Sequence, residues 1–390
     1  MFDLNRIKGP VLILPILLLL FTLLTTNRAF SQSDRAPVIT MGDDVRFRLG
    51  GTLQPRFTYD QFGGLDNDGN EVSAAAFGMR RVRLRLSGQI GNDIVIFIQM
   101  EGSGTSTQLL DIRVAYRLYN DWFIRAGRFV GAQPRVFALT THSNLDGIER
   151  PAIGEVWARG TLGADGRDYG VELYYKTSDA EVRLFAHNGA NNDNFRPNTG
   201  GNRPTDNRGF NPALSAYASY NPSFLDGLEV GVFGGYNPSE NNNTAYASSF
   251  EGRKYSNYSG HIYWGADPGS QPVRIKADYV GIRYKSFMMP GTDGTFPQPF
   301  QQTISGASLF ASVMPSKAVE AFTRVEYIDF GHMDDSYDTF LTFGATYSMS
   351  AARGKAFGNA RLTLAWSGRY YNESPYQPRN TITLQSQFFF

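Results

Sequence analysis

The chain has 390 residues with 37 Lys and Arg against 36 Asp and Glu, a formal net charge of +1. That balance excludes a global field for gathering nucleic acid, so any electrostatic function must come from how charges are distributed in space. Cysteine is absent, which excludes a disulfide scaffold and thiolate chemistry, while 41 Gly, 21 Tyr and 29 Phe fit all-β chains better than helical ones.

In chain order, the first predicted element is a leader. Arg6 and Lys8 precede a run from Val11 to Leu24 that is apolar except for Pro15 and Thr22, and the small residues Ala29 and Ser31 follow. The pattern predicts a signal peptide over residues 1–31, cleaved after Ser31, and an exported mature chain over 32–390. No later window approaches the roughly 18 consecutive apolar residues of a spanning helix. The mature chain is therefore expected to be either soluble or a β-barrel.

From residue 45 to residue 390, apolar and polar residues alternate with the two-residue period of strands. Sixteen segments are expected: 45–59, 78–88, 93–102, 108–118, 121–129, 168–177, 180–188, 212–221, 227–236, 255–264, 271–282, 303–314, 318–328, 338–349, 358–370 and 380–390. Around ten residues is what a tilted strand needs to cross hydrocarbon. The apolar sets, expected to face outward, include Val45, Phe47 and Leu49; Ile94, Ile96 and Ile98; Leu110, Ile112, Val114 and Tyr116; Val273, Ile275 and Ala277; and Leu341, Phe343 and Ala345. Tyr59, Tyr116, Trp122, Trp264 and Trp366 are candidates for the aromatic girdles at the two interfaces.

Connections alternate between short (89–92, 119–120, 178–179, 222–226, 265–270, 315–316, 350–357) and mostly longer ones rich in Asn, Gly, Asp and Ser, notably 189–211 and 237–254. Short turns on one side and long loops on the other is the outer-membrane pattern. The predicted fold is all-β: a transmembrane antiparallel up-and-down β-barrel of about 16 strands. An even count puts both termini on the short-turn side, the periplasm of a bacterial outer membrane.

If the apolar faces meet lipid, the opposite faces line the lumen. "RRVRLRLSG" at 80–88 puts Val82, Leu84 and Leu86 on one side and Arg81, Arg83 and Arg85 on the other. The same parity sends Arg46, Arg48, Arg56, Arg113, Arg117, Arg125, Lys176, Arg183, Arg274, Lys276, Arg324, Arg361 and Arg369 inward. It also sends inward Glu101, Asp111, Asp168, Glu172, Glu181, Glu229, Asp278, Glu320 and Glu326. The candidate anion-binding residues of the pore are Arg46, Arg48, Arg81, Arg83, Arg85, Arg113, Arg117 and Arg125, because guanidinium offers oxyanions a planar fork of donors. Struts of Arg paired with Asp or Glu are the alternative reading.

The longest connection, 130–167, is the third on the long-loop side, and its length predicts a constriction loop folded into the barrel. Arg135, Arg150 and Arg159 would stand near the narrowing, with Glu149 and Glu155 as counter-charges. A lid over the mouth is the plain alternative.

Competing chemistry is poorly supported. His142, His187, His261 and His332 lack the spacing of a metal site, "DNDGN" at 66–70 lacks the Gly and bidentate Glu of a calcium loop, and "GSGT" at 102–105 lacks a phosphate-loop lysine. "THSNLDG" places His142, Ser143 and Asn144 side by side, whereas a nucleophile and its base must meet across a fold. No enzyme, metal or cofactor is expected.

Seven pieces, "RRVRLRLSG", "QLLDIRVAYRL", "IRAGRF", "GIERP", "GRDYGVEL", "ASYNP" and the closing "LQSQFFF", run in order across the mature chain. Together they resemble the phosphate-selective porin O and P family. The resemblance implies a sixteen-stranded barrel, a homotrimer, an arginine ladder in the lumen and a basic constriction. Arg81, Arg83 and Arg85 match the first arginine-rich strand and Arg113 lies in the matched fourth, whereas the third loop departs from the family in holding no lysine. The expected function is passive diffusion of small solutes, favouring anions such as phosphate. Expected partners are outer-membrane lipid, small anionic solutes and further copies of the chain, with no nucleic acid. A weakly selective general porin is the alternative, and a barrel-based surface-binding protein or lipid-active enzyme stands further off.

Overall fold

A computed structural model describes residues 38–42, 44–65, 71–103, 106–162, 165–189, 212–238, 254–288, 299–331, 337–372 and 378–390. The expected leader, the "DNDGN" stretch, most of 189–211 and 237–254, and His332 lie outside the described residues. The strands are β1 (Val38–Met41), β2 (Val45–Leu65), β3 (Glu71–Ile90), β4 (Ile94–Glu101), β5 (Gln108–Tyr119), β6 (Trp122–Phe129), β7 (Asp168–Lys176), β8 (Ala180–His187) and β9 (Ala213–Tyr220). They continue as β10 (Leu228–Asn237), β11 (Tyr255–Trp264), β12 (Val273–Met288), β13 (Pro299–Ser316), β14 (Val319–Asp329), β15 (Tyr337–Ser348), β16 (Ala360–Tyr371) and β17 (Arg379–Phe389). One α-helix, α1 (Ala152–Thr161), lies in the third long connection.

Each strand from β2 to β17 pairs antiparallel with its successor, and β17 pairs back onto β2, with Leu384 opposite Phe57. The result is a closed sixteen-strand barrel; closure removes the sheet edges that an open sheet would expose. Short β1 adds to β2 beside Val45–Arg48, beyond the last residues of β17. All sixteen expected segments are strands. β2 and β3 extend past the expected bounds because residues 72–79 of β3 are exposed on both faces, so no alternation marks them.

Sidedness is inverted relative to a soluble core. In β3, Leu84 is 50% exposed while Arg81 is 2% exposed. Ile112, Val114, Val273, Ile275 and Phe343 stand on the outer face in the same way, the apolar belt that lipid requires.

Two bulges correct the parity reading. Between Gln54–Arg81 and Pro55–Met79 the ladder skips Arg80, so Arg80 and Arg81 both reach the lumen. Between Gln99–Asp111 and Met100–Leu109 it skips Leu110, which is buried rather than outward, and Leu109 takes the exposed position.

Candidate functional site

The connection 130–167 enters the barrel and touches walls on all sides. Its tip sequence "THSNLDGIERP" can be decoded residue by residue. The His142 ring bridges two strands: Arg83 Nη1 donates to Nδ1 at 3.0 Å, and Nε2 lies 2.7 Å from Thr52 Oγ1. Arginine can only donate, so Nε2 carries the proton and Thr52 accepts. Burial, then the charges of Arg83, Arg81, Arg85 and Arg150, push the His142 pKa well below its usual value, which keeps the ring neutral as that geometry requires. Asn144 donates to Asp267 on the β11–β12 turn at 2.9 Å.

Asp146 accepts from Lys276 Nζ at 2.7 Å and from Arg274. Gly147 adopts φ +68°, and a Cβ there would lie 2.8 Å from the Phe322 ring, so the turn that presents Asp146 needs glycine twice over. Ile148 then buries against Phe310, Phe322 and Ala365. Glu149 accepts from Arg56 Nη1 at 2.6 Å and from Arg80 Nε at 2.9 Å. Burial alone would raise both loop carboxyls, but their cations outweigh it and hold each at about 2. Arg150 turns inward on its own loop and donates to the carbonyls of Phe137 (3.1 Å) and Thr140 (3.0 Å). Pro151 ends the motif as the N-cap of α1.

The helix is held by wall residues that are apolar on the inner face. Ile153 and Trp157 pack against Val280, Ile282, Tyr284, Ile304 and Ile328, all buried. Glu326 accepts from the Ala152 N–H, placing a carboxylate at the helix N-terminus where the dipole favours it. Tyr284 donates to the Gly160 carbonyl at 2.9 Å. The cluster runs on through Phe233, Tyr217, Phe185 and Phe129 of β10, β9, β8 and β6, so the helix is seated on an apolar stretch of the inner wall. Between loop and wall lies a small recess bordered by Asp146, Glu149, Lys276, Asp278, Tyr263 and Arg324 among others.

The candidate arginines fall into distinct environments. Arg83 pairs with Glu101 at 2.6 Å, and Arg125 pairs with Glu172 beneath Tyr174. Among the described residues, the Arg81 guanidinium donates to the Gln54 amide oxygen, at 2.9 Å, and to no carboxylate. Arg85 donates to the carbonyls of Gly51 and Phe390 and stacks on Phe389 at 3.9 Å. Arg113 lies over Phe97 and Arg117 over Phe123. Arg46 and Arg48 are exposed at the short-turn end of β2, away from the loop. In the loop, Arg135 pairs with Glu229 at 2.7 Å, which together with neighbouring Tyr263 and Tyr217 raises its pKa despite burial, while Arg159 is exposed on α1, apart from Arg135 and Arg150.

Sequence parity missed Arg80, hidden by its bulge, although the adjacent "RR" was its trace. It also missed Asp146 and Arg167, loop residues that lock onto Lys276 and Asp111 (2.9 Å) and carry no periodicity of their own. His142 and Ser143, raised as a nucleophile pair, serve the loop instead: Ser143 gives its carbonyl to Gln387 at 3.1 Å.

A closed, lipid-belted barrel with charged inner walls and an inward-folded third loop defines the class as an outer-membrane porin. The family model of the phosphate-selective porin O and P matches residues 52–285, and the chain belongs to that family. No curated protein matches the sequence. Among solved structures, the chain is similar to the anion-selective porin from Comamonas acidovorans, at 12% identity and a TM-score of 0.64 over 89% of this chain and 100% of that one. It is also similar to the outer membrane channel DcaP of Acinetobacter baumannii (12% identity, TM-score 0.57, 90% of this chain and 99% of that one). A third likeness is to Salmonella typhi OmpF in complex with daunomycin (13% identity, TM-score 0.57, 90% and 100%). At such identities the structures share a fold. The protein is a channel of the bacterial outer membrane.

Proposed function

We propose that the channel passes small solutes by diffusion and favours anions, phosphate among them, with the loop 130–167 as its constriction. One observation carries this reading: cations on the inner wall outlast the acids available to neutralise them. Glu101, Asp111, Glu172, Glu181, Glu229, Glu320 and Glu326 each bond an arginine or lysine. Asp338 and Asp60 likewise pair with Arg369 and Arg379, while Asp168 faces His187 and Asp278 accepts from Tyr263. By contrast, among the described residues Arg46, Arg48, Arg81, Arg85, Arg113 and Arg117 have no carboxylate partner. Uncompensated guanidinium in a narrow wet passage attracts oxyanions and repels cations.

A leader over 1–31, both termini in the periplasm and assembly as a homotrimer belong to the same reading, the last supported by the family and by the trimer form of the similar Vibrio cholerae outer membrane protein OmpT. The many closed Arg–Glu pairs favour a second reading, a general porin of weak selectivity. Proteoliposome uptake separates them: the first expects inorganic phosphate to enter faster than a similarly sized cation, and equal entry would leave only the second.

A further inference from the structure

We propose that Phe97 and Phe123 are positioning residues for pore selectivity: each holds an arginine, Arg113 and Arg117, in place without neutralising it. The proposal deepens the anion-favouring reading above and rests on it. A carboxylate partner orients a guanidinium but cancels its charge and occupies its in-plane N–H donors. An aromatic ring takes the flat face instead, leaving the charge and the edge donors to a passing oxyanion.

Register fixes both pairs. Phe97 on β4 stands directly opposite Arg113 on β5, and Arg117 on β5 directly opposite Phe123 on β6, on the lumen face in each case. The guanidinium carbons lie 4.9 and 5.3 Å from the ring centroids. Continuing the first row beyond Arg113, the next two strands present Gly127 and Gly170, which carry no side chain of their own beside the guanidinium, the Phe185 ring covering Gly170. One strand over, the same device is used differently. Arg125 and Arg183 share the Tyr174 ring, at 3.9 and 5.0 Å, but each also has a carboxylate partner, Glu172 and Glu181, on its in-plane donors.

The arrangement divides the labour among arginines. The arginine-rich strand β3 binds the constriction loop, through Arg80 to Glu149 and Arg83 to His142. The ring-mounted arginines of β5 hold neither the loop nor a carboxylate and meet solute with their charge intact.

The test replaces the rings while leaving every charge in place. Phe97→Leu, Phe123→Leu and the double variant are reconstituted in planar bilayers, and the chloride-to-potassium permeability ratio is read from zero-current potentials. Block of the chloride current by inorganic phosphate is read alongside. Loss of a ring should lower the ratio and the phosphate block by about two- to fivefold, the factor an exposed cation–π contact is worth. Phe97→Tyr and Phe123→Trp keep a ring and should retain both readouts. Phe123→Leu alone removes a ring outside the buried clusters, so it serves if the double variant fails to fold. Unchanged ratio and block in the leucine variants, with the wild type preferring anions, would overturn the proposal. A wild type without anion preference would instead overturn the reading beneath it.

Discussion

Replacing Asp146 by Asn would test what pins the loop inside the barrel. Asp146 is mostly buried, accepts from Lys276 and Arg274, and its carboxyl falls from 3.8 to about 2. That drop of nearly two units is about 2.5 kcal/mol at about 1.4 kcal/mol per unit. Lys276 would be left buried without its carboxylate, and breaking such a pair costs about 3–5 kcal/mol. The loop should therefore open locally at least fiftyfold more often, taking about 2.5 kcal/mol as the lower bound. Amide hydrogen exchange of residues 142–150 in detergent micelles reads this directly. Because the docked carboxyl has the lower pKa, its contribution is complete above about pH 4 and is lost as pH falls through about 2. Wild-type exchange, corrected for intrinsic chemistry, should thus approach that of the variant over this interval. A change under about threefold, with no pH dependence, would refute the pinning.

Three further outcomes are expected. Trp157→Ala removes the largest fully buried side chain of α1 and should cost about 3–5 kcal/mol of local stability, seen as faster exchange in the helix while the barrel strands stay protected. Gly127→Ala should impair folding, since Gly127 has φ +130° and a Cβ would lie 2.1 Å from the Ile112 carbonyl; loss of heat-modifiable barrel on gels checks it. Leu84→Arg places a charge on the lipid face and should cost up to about 2–4 kcal/mol, by equilibrium unfolding in lipid, whereas a soluble exterior there would tolerate it.

The barrel was legible in the sequence because period two and loop alternation are written locally. Leu84 outside and Arg81 inside follow from parity alone. Parity failed where the ladder skips a residue, so Arg80 was lost and Leu110 turned the wrong way. It also could not tell which inward arginines are neutralised. Arg83 and Arg113 look alike in the sequence, yet one meets Glu101 and the other a phenyl ring, a difference set by what the neighbouring strand presents in register. The loop's inward fold was suggested by length, but its locks at Asp146, Glu149 and His142 depend on strands far apart in the chain.

The central claim, surplus positive charge on a conducting inner wall, is tested most directly by the zero-current potential of the wild-type channel across a tenfold KCl gradient. Chloride should carry more of the current than potassium, and the preference should shrink at high salt as the guanidinium charges are screened. A potential of the opposite sign, or no conductance at all, would contradict the account.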